Sequence, residues 1–203
     1  MVSQAKYDRA QAIRQATELF WARGFHATSM RTIQAAIDMR PGSIYASFGS
    51  KEGLFQEALT HYACSSRARL AACVDKAPSP LEGLRGFVIE VVIECRETAP
   101  SGMCMLVKTI AELTSEHADL LALARQLLKE MEAAFAGVLR QAQVEGEIDA
   151  AKSPEHMARY LQMQLMGLRA YARANEGDEL IRAMIDDVFA NLRSAPQASS
   201  SPA

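Results

Sequence analysis

The run Thr28 to Phe55, TSMRTIQAAIDMRPGSIYASFGSKEGLF, reads as two short helices joined by a tight turn, followed by the start of a third helix. Met30, Ile33, Ala36 and Ile37 recur at helical spacing, so one face of the first helix is buried. Asp38 and Met39 break it. Pro41 suits a first helical turn, where a missing N–H costs nothing. The next helix, about Pro41 to Phe48, has Ile44 and Phe48 on one side and Arg40, Ser43, Tyr45 and Ser47 elsewhere. Such a piece does not fold alone, and its free face carries hydrogen-bond donors. This is the pattern of a helix-turn-helix, whose second helix enters the DNA major groove.

At these residues the chain resembles the TetR/AcrR family of transcriptional repressors. The matching residues are Glu18-Leu19-Phe20, Gly24-Phe25, Ala27-Thr28-Ser29, Ile33, Gly42-Ser43-Ile44-Tyr45, Phe48 and Ser50-Lys51-Glu52-Gly53-Leu54-Phe55. The likeness is close over residues 6–65; beyond them only scattered residues and the helical pattern agree. It implies an all-α fold of about nine helices. A three-helix DNA-binding domain (1–52, reader helices 28–48) would precede a larger ligand-binding and dimerisation domain (53–193).

The helical pattern agrees along the chain. A first helix, Tyr7 to Arg23, has Ala10, Ile13, Ala16, Thr17 and Phe20 as its inner stripe and Gly24 at its end. Ser50 is a good N-cap for a helix reaching Asp75. Helices over 80–97, 103–113, 118–145, 153–175 and 178–193 follow, two of them opened by Ser-Pro. VIEVVIEC at 88–95 is the only β-branched run, and its flanks favour helix. The tail SAPQASSSPA, 194–203, is polar and small, and is expected to be disordered.

Composition sets limits. The chain has 203 residues and is 49% hydrophobic, without the run of roughly eighteen apolar residues that a membrane span needs. The N-terminus lacks a signal peptide's apolar core. Cys64, Cys73, Cys95 and Cys104 show no CxxC spacing, which suits reduced thiols in a cytoplasmic protein. The formal net charge is −2, yet residues 1–52 carry seven Lys and Arg against four acids. Positive charge thus gathers where phosphates would be met.

Contacts to DNA divide into positioning and reading. Lys51, in a first helical turn, suits a phosphate, as do Tyr45 and, at the cap of the second helix, either Thr28 or Ser29. Arg31, Arg40, Ser43 and Ala46 are candidates for base edges, Arg40 for guanine and Ala46 for a thymine methyl. Tyr45 could instead be a core aromatic and Arg31 a solvated surface residue. Gly42 serves either close approach to DNA or packing.

The resemblance implies a cavity in the second half for a small-molecule effector of unknown identity. Met103, Met105, Met131, Phe135, Met163, Met166 and Tyr171 are available to line it, or to fill a core. Cys104 follows Pro100-Ser101-Gly102 and resembles the cysteine of a branch whose members sense oxidants or electrophiles. A helix N-terminus and Lys108 one turn on would favour its thiolate. An inert, small buried thiol is the alternative.

The last two helices are apolar around much of their circumference. Leu165, Leu168, Ile181, Ile185, Val188 and Phe189 are the candidates for a four-helix interface in a two-fold dimer; a central place in a monomeric core is the other reading. No phosphate loop, HExxH, GxSxG or metal-ligand cluster points to an enzyme, a cofactor or a metal. His26, His61, His117 and His156 lie on separate segments. A protein-binding helical adaptor is the remaining class, and it would lack salt-dependent DNA binding.

Overall fold

In this computed structural model, residues 2–175 and 177–193 are described, with the backbone alone for 2–8. Every regular element among them is helical: α1 (Val2–Arg23), α2 (Met30–Ile37), α3 (Pro41–Phe48), α4 (Lys51–Lys76), α5 (Pro80–Ile89), α6 (Met105–Glu112), α7 (Ala118–Val144), α8 (Pro154–Ala174) and α9 (Asp178–Leu192). The tail 194–203 lies outside the described residues. Four serines start helices as expected. Ser29, Ser50, Ser79 and Ser153 accept from the N–H three residues on, at 3.1, 3.1, 3.4 and 3.2 Å. Each such cap is worth about 0.5–2 kcal/mol over alanine.

The β-branched run is helical, but not uniformly α-helical. Glu90–Glu94 form a wider turn in which the Cys95 N–H donates to the Glu90 carbonyl at 2.8 Å. The turn keeps Val92 and Ile93 buried beside Val88 and Ile89.

By contact the chain falls into two units, Met1–Ala68 with Thr98–Met131, and Arg69–Glu97 with Glu132–Ala203. This division is not the one expected at residue 52. The segment 98–131 joins the N-terminal helices, and α4 contributes residues to both units.

The first unit is built on aromatic contacts. Phe20 and Phe55 meet edge to face at 4.7 Å, and Phe25 lies 5.0 Å from Phe55. Ile33, Ile37, Ile44 and Phe48 add the inner faces of α2 and α3, while Met105, Leu106, Leu120 and Ala124 come from the later segment. On α1 Ala12, Ala16, Thr17 and Phe20 are buried, whereas Ala10, expected on the inner stripe, is exposed.

In the second unit Leu81, Leu84, Phe87, Phe135, Leu161, Ile185 and Phe189 are core residues. A Cβ on Gly83 would lie 2.5 Å from the Val74 Cα, so glycine is what lets α5 approach α4 there. Arg85–Asp186 and Arg96–Asp178 ion pairs tie α5 and the residues after it to α9. The Lys152 ammonium donates to the Asn191, Leu192 and Arg193 carbonyls at 3.2, 3.3 and 2.8 Å, closing the C-terminus of α9.

Candidate nucleic-acid interface

The turn between α1 and α2 sets where the interface begins. Gly24, at φ +85°, ends α1 in a conformation that favours glycine. Thr28 Oγ1 donates to the Gly24 carbonyl at 2.6 Å, and Ser29 then caps α2. Asp38 stops α2 with φ +49°, a left-handed conformation that aspartate tolerates better than most residues. Arg40 is the extended residue ahead of α3, with Pro41 in its first turn. Ile44 and Phe48 bury the inner side of α3, and Gly49, at φ +74°, closes it. A Cβ on Gly53 would fall 2.1 Å from the Phe48 carbonyl, so glycine there lets α4 start directly against the end of α3.

This framework leaves Ser29, Arg31, Arg40, Gly42, Ser43, Tyr45 and Ala46 exposed. Tyr45 is 51% exposed, so it is not a core aromatic. A Cβ on Gly42 would meet nothing within 4 Å; packing inside the chain does not demand glycine there, and the backbone is open to approach. Thr28 is the correction. It is fully buried and its hydroxyl is spent on Gly24, so of the two candidate caps Ser29 holds the surface position. Pro41 and Ser47 are exposed on α3 as well; the spacing already puts Ser47 on this free face, whereas Pro41 is not among the candidate contacts.

Lys51 also packs within the chain. Its ammonium stands 4.1 Å from the centre of the Phe25 ring, and partial burial, offset by Glu52 and Glu112, lowers its pKa. It is half-buried, not a free arm. Beside it, the Glu52 carboxyl is held below the usual range by its own backbone N–H and the Ser50 hydroxyl, at the positive end of α4. Arg9 of α1 lies over the Phe48 ring at 5.2 Å and pairs with Glu57, tying the end of α3 to α1 and α4.

Two supporting residues carry no local sequence signal. The Glu112 carboxylate, at the end of α6, accepts from the Phe25 N–H at 3.0 Å and the His26 N–H at 2.7 Å. One turn earlier, the Lys108 ammonium donates to the Trp21 and Ala22 carbonyls at 3.0 and 2.7 Å. Lys108 therefore serves the C-terminus of α1 and is not folded back on Cys104, where it would have favoured the thiolate. Cys104 itself is the extended, half-buried residue ahead of α6, outside its first turn. The histidines are also less scattered than the sequence suggests: the His26 and His117 rings are 5.4 Å apart, and both touch Phe25.

The proposed lining residues divide between the two units. Met103, Cys104 and Met131 belong to the first unit, whereas Phe135, Met163, Met166 and Tyr171 belong to the second. Phe135 is a core residue 6.0 Å from Phe87. Met163 is 65% exposed and Tyr171 is exposed too. A groove of about 610 Å³ in the second unit is lined by Lys152, Ser153, His156, Met157, Tyr160, Asn191 and Leu192, none of them among the expected residues.

The proposed dimer residues need correcting as well. Leu168, Ile181, Ile185, Val188 and Phe189 are buried within the single chain, and only Leu165 is partly open. The inner half of each apolar band fills this chain's own core. The outer half of α8 and α9 carries Met163, Met166, Ala170, Tyr171, Leu180 and Met184, all exposed or half-exposed.

Comparison with known proteins agrees with the all-helical fold. Residues 12–58 match the family described as bacterial regulatory proteins, tetR family, and residues 80–188 match the tetracyclin repressor-like C-terminal domain. The HTH-type transcriptional repressor ComR of Escherichia coli K12 is 27% identical over 180 residues, 88% of this chain and 84% of ComR. Among solved structures, a cysteine mutant of the TetR family transcriptional regulator CifR, complexed with a 26-base-pair operator duplex, superposes with a TM-score of 0.78. It shares 29% identity, and the match covers 88% of this chain and 94% of CifR. The reduced form of E. coli NemR, at 18% identity, has a TM-score of 0.81 over 93% of this chain and 99% of NemR, a likeness of fold alone.

Proposed function

This chain belongs to the tetR family of bacterial regulatory proteins, DNA-binding regulators of transcription, and from that premise we propose that it is a homodimeric repressor released from its operator by a small molecule. The observation that carries the reading is the outer face of α3, where Ser43, Tyr45 and Ala46 stand exposed beside Arg40 and an open Gly42. Arg40 offers a fork that matches guanine O6 and N7, and Ala46 offers a methyl contact. Ser29, Tyr45 and Lys51 supply donors to phosphate.

One short reader helix binds weakly, and two held about 34–36 Å apart span successive half-sites. The exposed apolar outer face of α8 and α9 supports a second copy as the means of holding them. An effector bound in the C-terminal half acts by favouring a dimer with a different spacing. Such couplings are typically about 1–3 kcal/mol, a change of roughly 5–150-fold in affinity.

Selection from a random duplex pool tests the reading. The protein should enrich a palindromic sequence and bind it as a dimer, with affinity that falls steeply as salt rises. No enrichment, or binding indifferent to salt, would leave the adaptor class.

A further inference from the structure

We propose that Glu112, assisted by Lys108, is a positioning residue for DNA recognition: from the end of α6 it fixes the turn that starts α2, and through it the reader helix. The inference rests on the DNA-binding reading above. It starts from spacing, because Lys108 and Glu112 are one turn apart and lie on one face of α6. Both reach the same feature, the end of α1, across 86 or 87 residues of sequence. The cation meets the carbonyl end of the helix and the anion meets two N–H groups just beyond it, so each charge faces the opposite partial charge.

The carboxylate packs closely against the end of α1. A Cβ on Gly24 would sit 2.4 Å from Glu112 Oε2, so this glycine serves both its own positive φ and the seat of the carboxylate. Trp21 adds a third tie, its indole N–H donating to the Met103 carbonyl at 2.7 Å. The clamped residues lead directly into the interface. The Thr28 N–H donates to the Phe25 carbonyl at 3.2 Å, and Ser29 caps α2 next. The Phe25 ring carries the Lys51 ammonium. Glu112 thereby places both the start of α2 and a candidate phosphate contact.

Stability alone does not account for the arrangement. Ala22 and His26 are exposed, so water would satisfy the Ala22 carbonyl and the His26 N–H if the clamp were absent. Bonds to the exposed groups add little net stability, and the bond to the N–H of the buried Phe25 adds more; all of them also fix the direction of the turn.

The test uses the full chain and the duplex that wild type selects from a random pool, with a scrambled duplex as control. Glu112→Ala should weaken binding to the selected duplex by about tenfold, the scale of one lost charge-assisted hydrogen bond, and change scrambled-duplex binding by less than about twofold. Its dimer state should stay as wild type and its melting midpoint should fall by a few degrees at most, while the Phe25 and His26 amides should exchange faster. Gly24→Ala should push the carboxylate off its seat, so the double variant should bind no worse than Gly24→Ala alone. Glu112→Gln, which keeps one acceptor, should fall between wild type and Glu112→Ala. Equal losses on both duplexes that track a fallen melting midpoint would make the clamp merely structural and overturn the proposal. Additive losses in the double variant, or unchanged amide exchange in Glu112→Ala, would overturn it too. A wild type that selects no duplex would instead bring down the DNA-binding reading itself.

Discussion

The outward face of α2 and α3 and that of α8 and α9 are exposed in this chain for opposite chemical reasons. On α3 the uncovered side chains are polar or small, and α3 is only eight residues long, held from behind by Ile44 and Phe48. On α8 and α9 they are Met163, Met166, Tyr171, Leu180 and Met184, on helices of 21 and 15 residues with cores of their own. A polar face of donors suits a charged, reversible, salt-sensitive partner. An apolar face suits a partner that stays. Apolar residues around a helix thus do not share one role: those of α8 and α9 divide into an inner half that fills this chain's core and an outer half left exposed.

The largest expected effect tests that division. Ile185→Asp places an unpaired charge in the core of the second unit, since Ile185 is fully buried, and should cost more than about 4 kcal/mol. The protein should unfold or precipitate, not become a clean monomer. Met163→Glu, on the outer half, should do the reverse, leaving the melting midpoint within a few degrees and giving a monomer by light scattering. A folded monomer from Ile185→Asp would return the inner band to the interface.

On the reader face the effects are smaller and concern selectivity. Arg40→Ala should cost roughly 1–3 kcal/mol on the selected duplex and blur one base position, with thermal stability unchanged. Equal loss on every duplex would move Arg40 among the phosphate contacts. The helix junction behind that face should respond less still. Ser50→Ala removes the cap on Gly53 N–H and should lower stability by about 0.5–2 kcal/mol in denaturant titration.

The smallest expected effect is a pH dependence at the same junction. Because the folded Glu52 carboxyl titrates below its unfolded value of about 4.3, its contribution is present above that value. It is lost as pH falls through the lower folded one. Glu52→Gln should therefore flatten the acid limb of stability below about pH 4. An acid limb identical to wild type would assign the loss to other carboxylates.

Much of the reader was legible in the sequence because its determinants are local. Serine caps, Pro41 in a first turn, Gly24 after α1 and the spacing of Ile33, Ile37, Ile44 and Phe48 each act within a few residues. The helical reading of the second half was legible for the same reason. What escaped depends on contacts between distant segments. No local pattern reveals that Glu112 bonds to Phe25 and His26, that Lys51 rests on Phe25, or that 98–131 joins the N-terminal helices. Nor does periodicity say which side of α8 faces inward when both sides are apolar. Thr28 shows the limit within the motif itself. Thr28 and Ser29 are equally good caps by residue type, and only the turn set by Gly24 decides that one is buried and the other exposed.

The central claim is that two copies of this chain read DNA through the outer faces of paired α3 helices. Guanine N7 methylation interference on the selected duplex tests it most directly, since a methyl at N7 blocks the major-groove edge that Arg40 would meet. Two interfering clusters related by a two-fold axis, about 10–10.5 base pairs or a multiple of that apart, are expected. Arg40→Ala should lose interference at one guanine in each cluster. A single cluster, or binding indifferent to methylation throughout, would contradict the account.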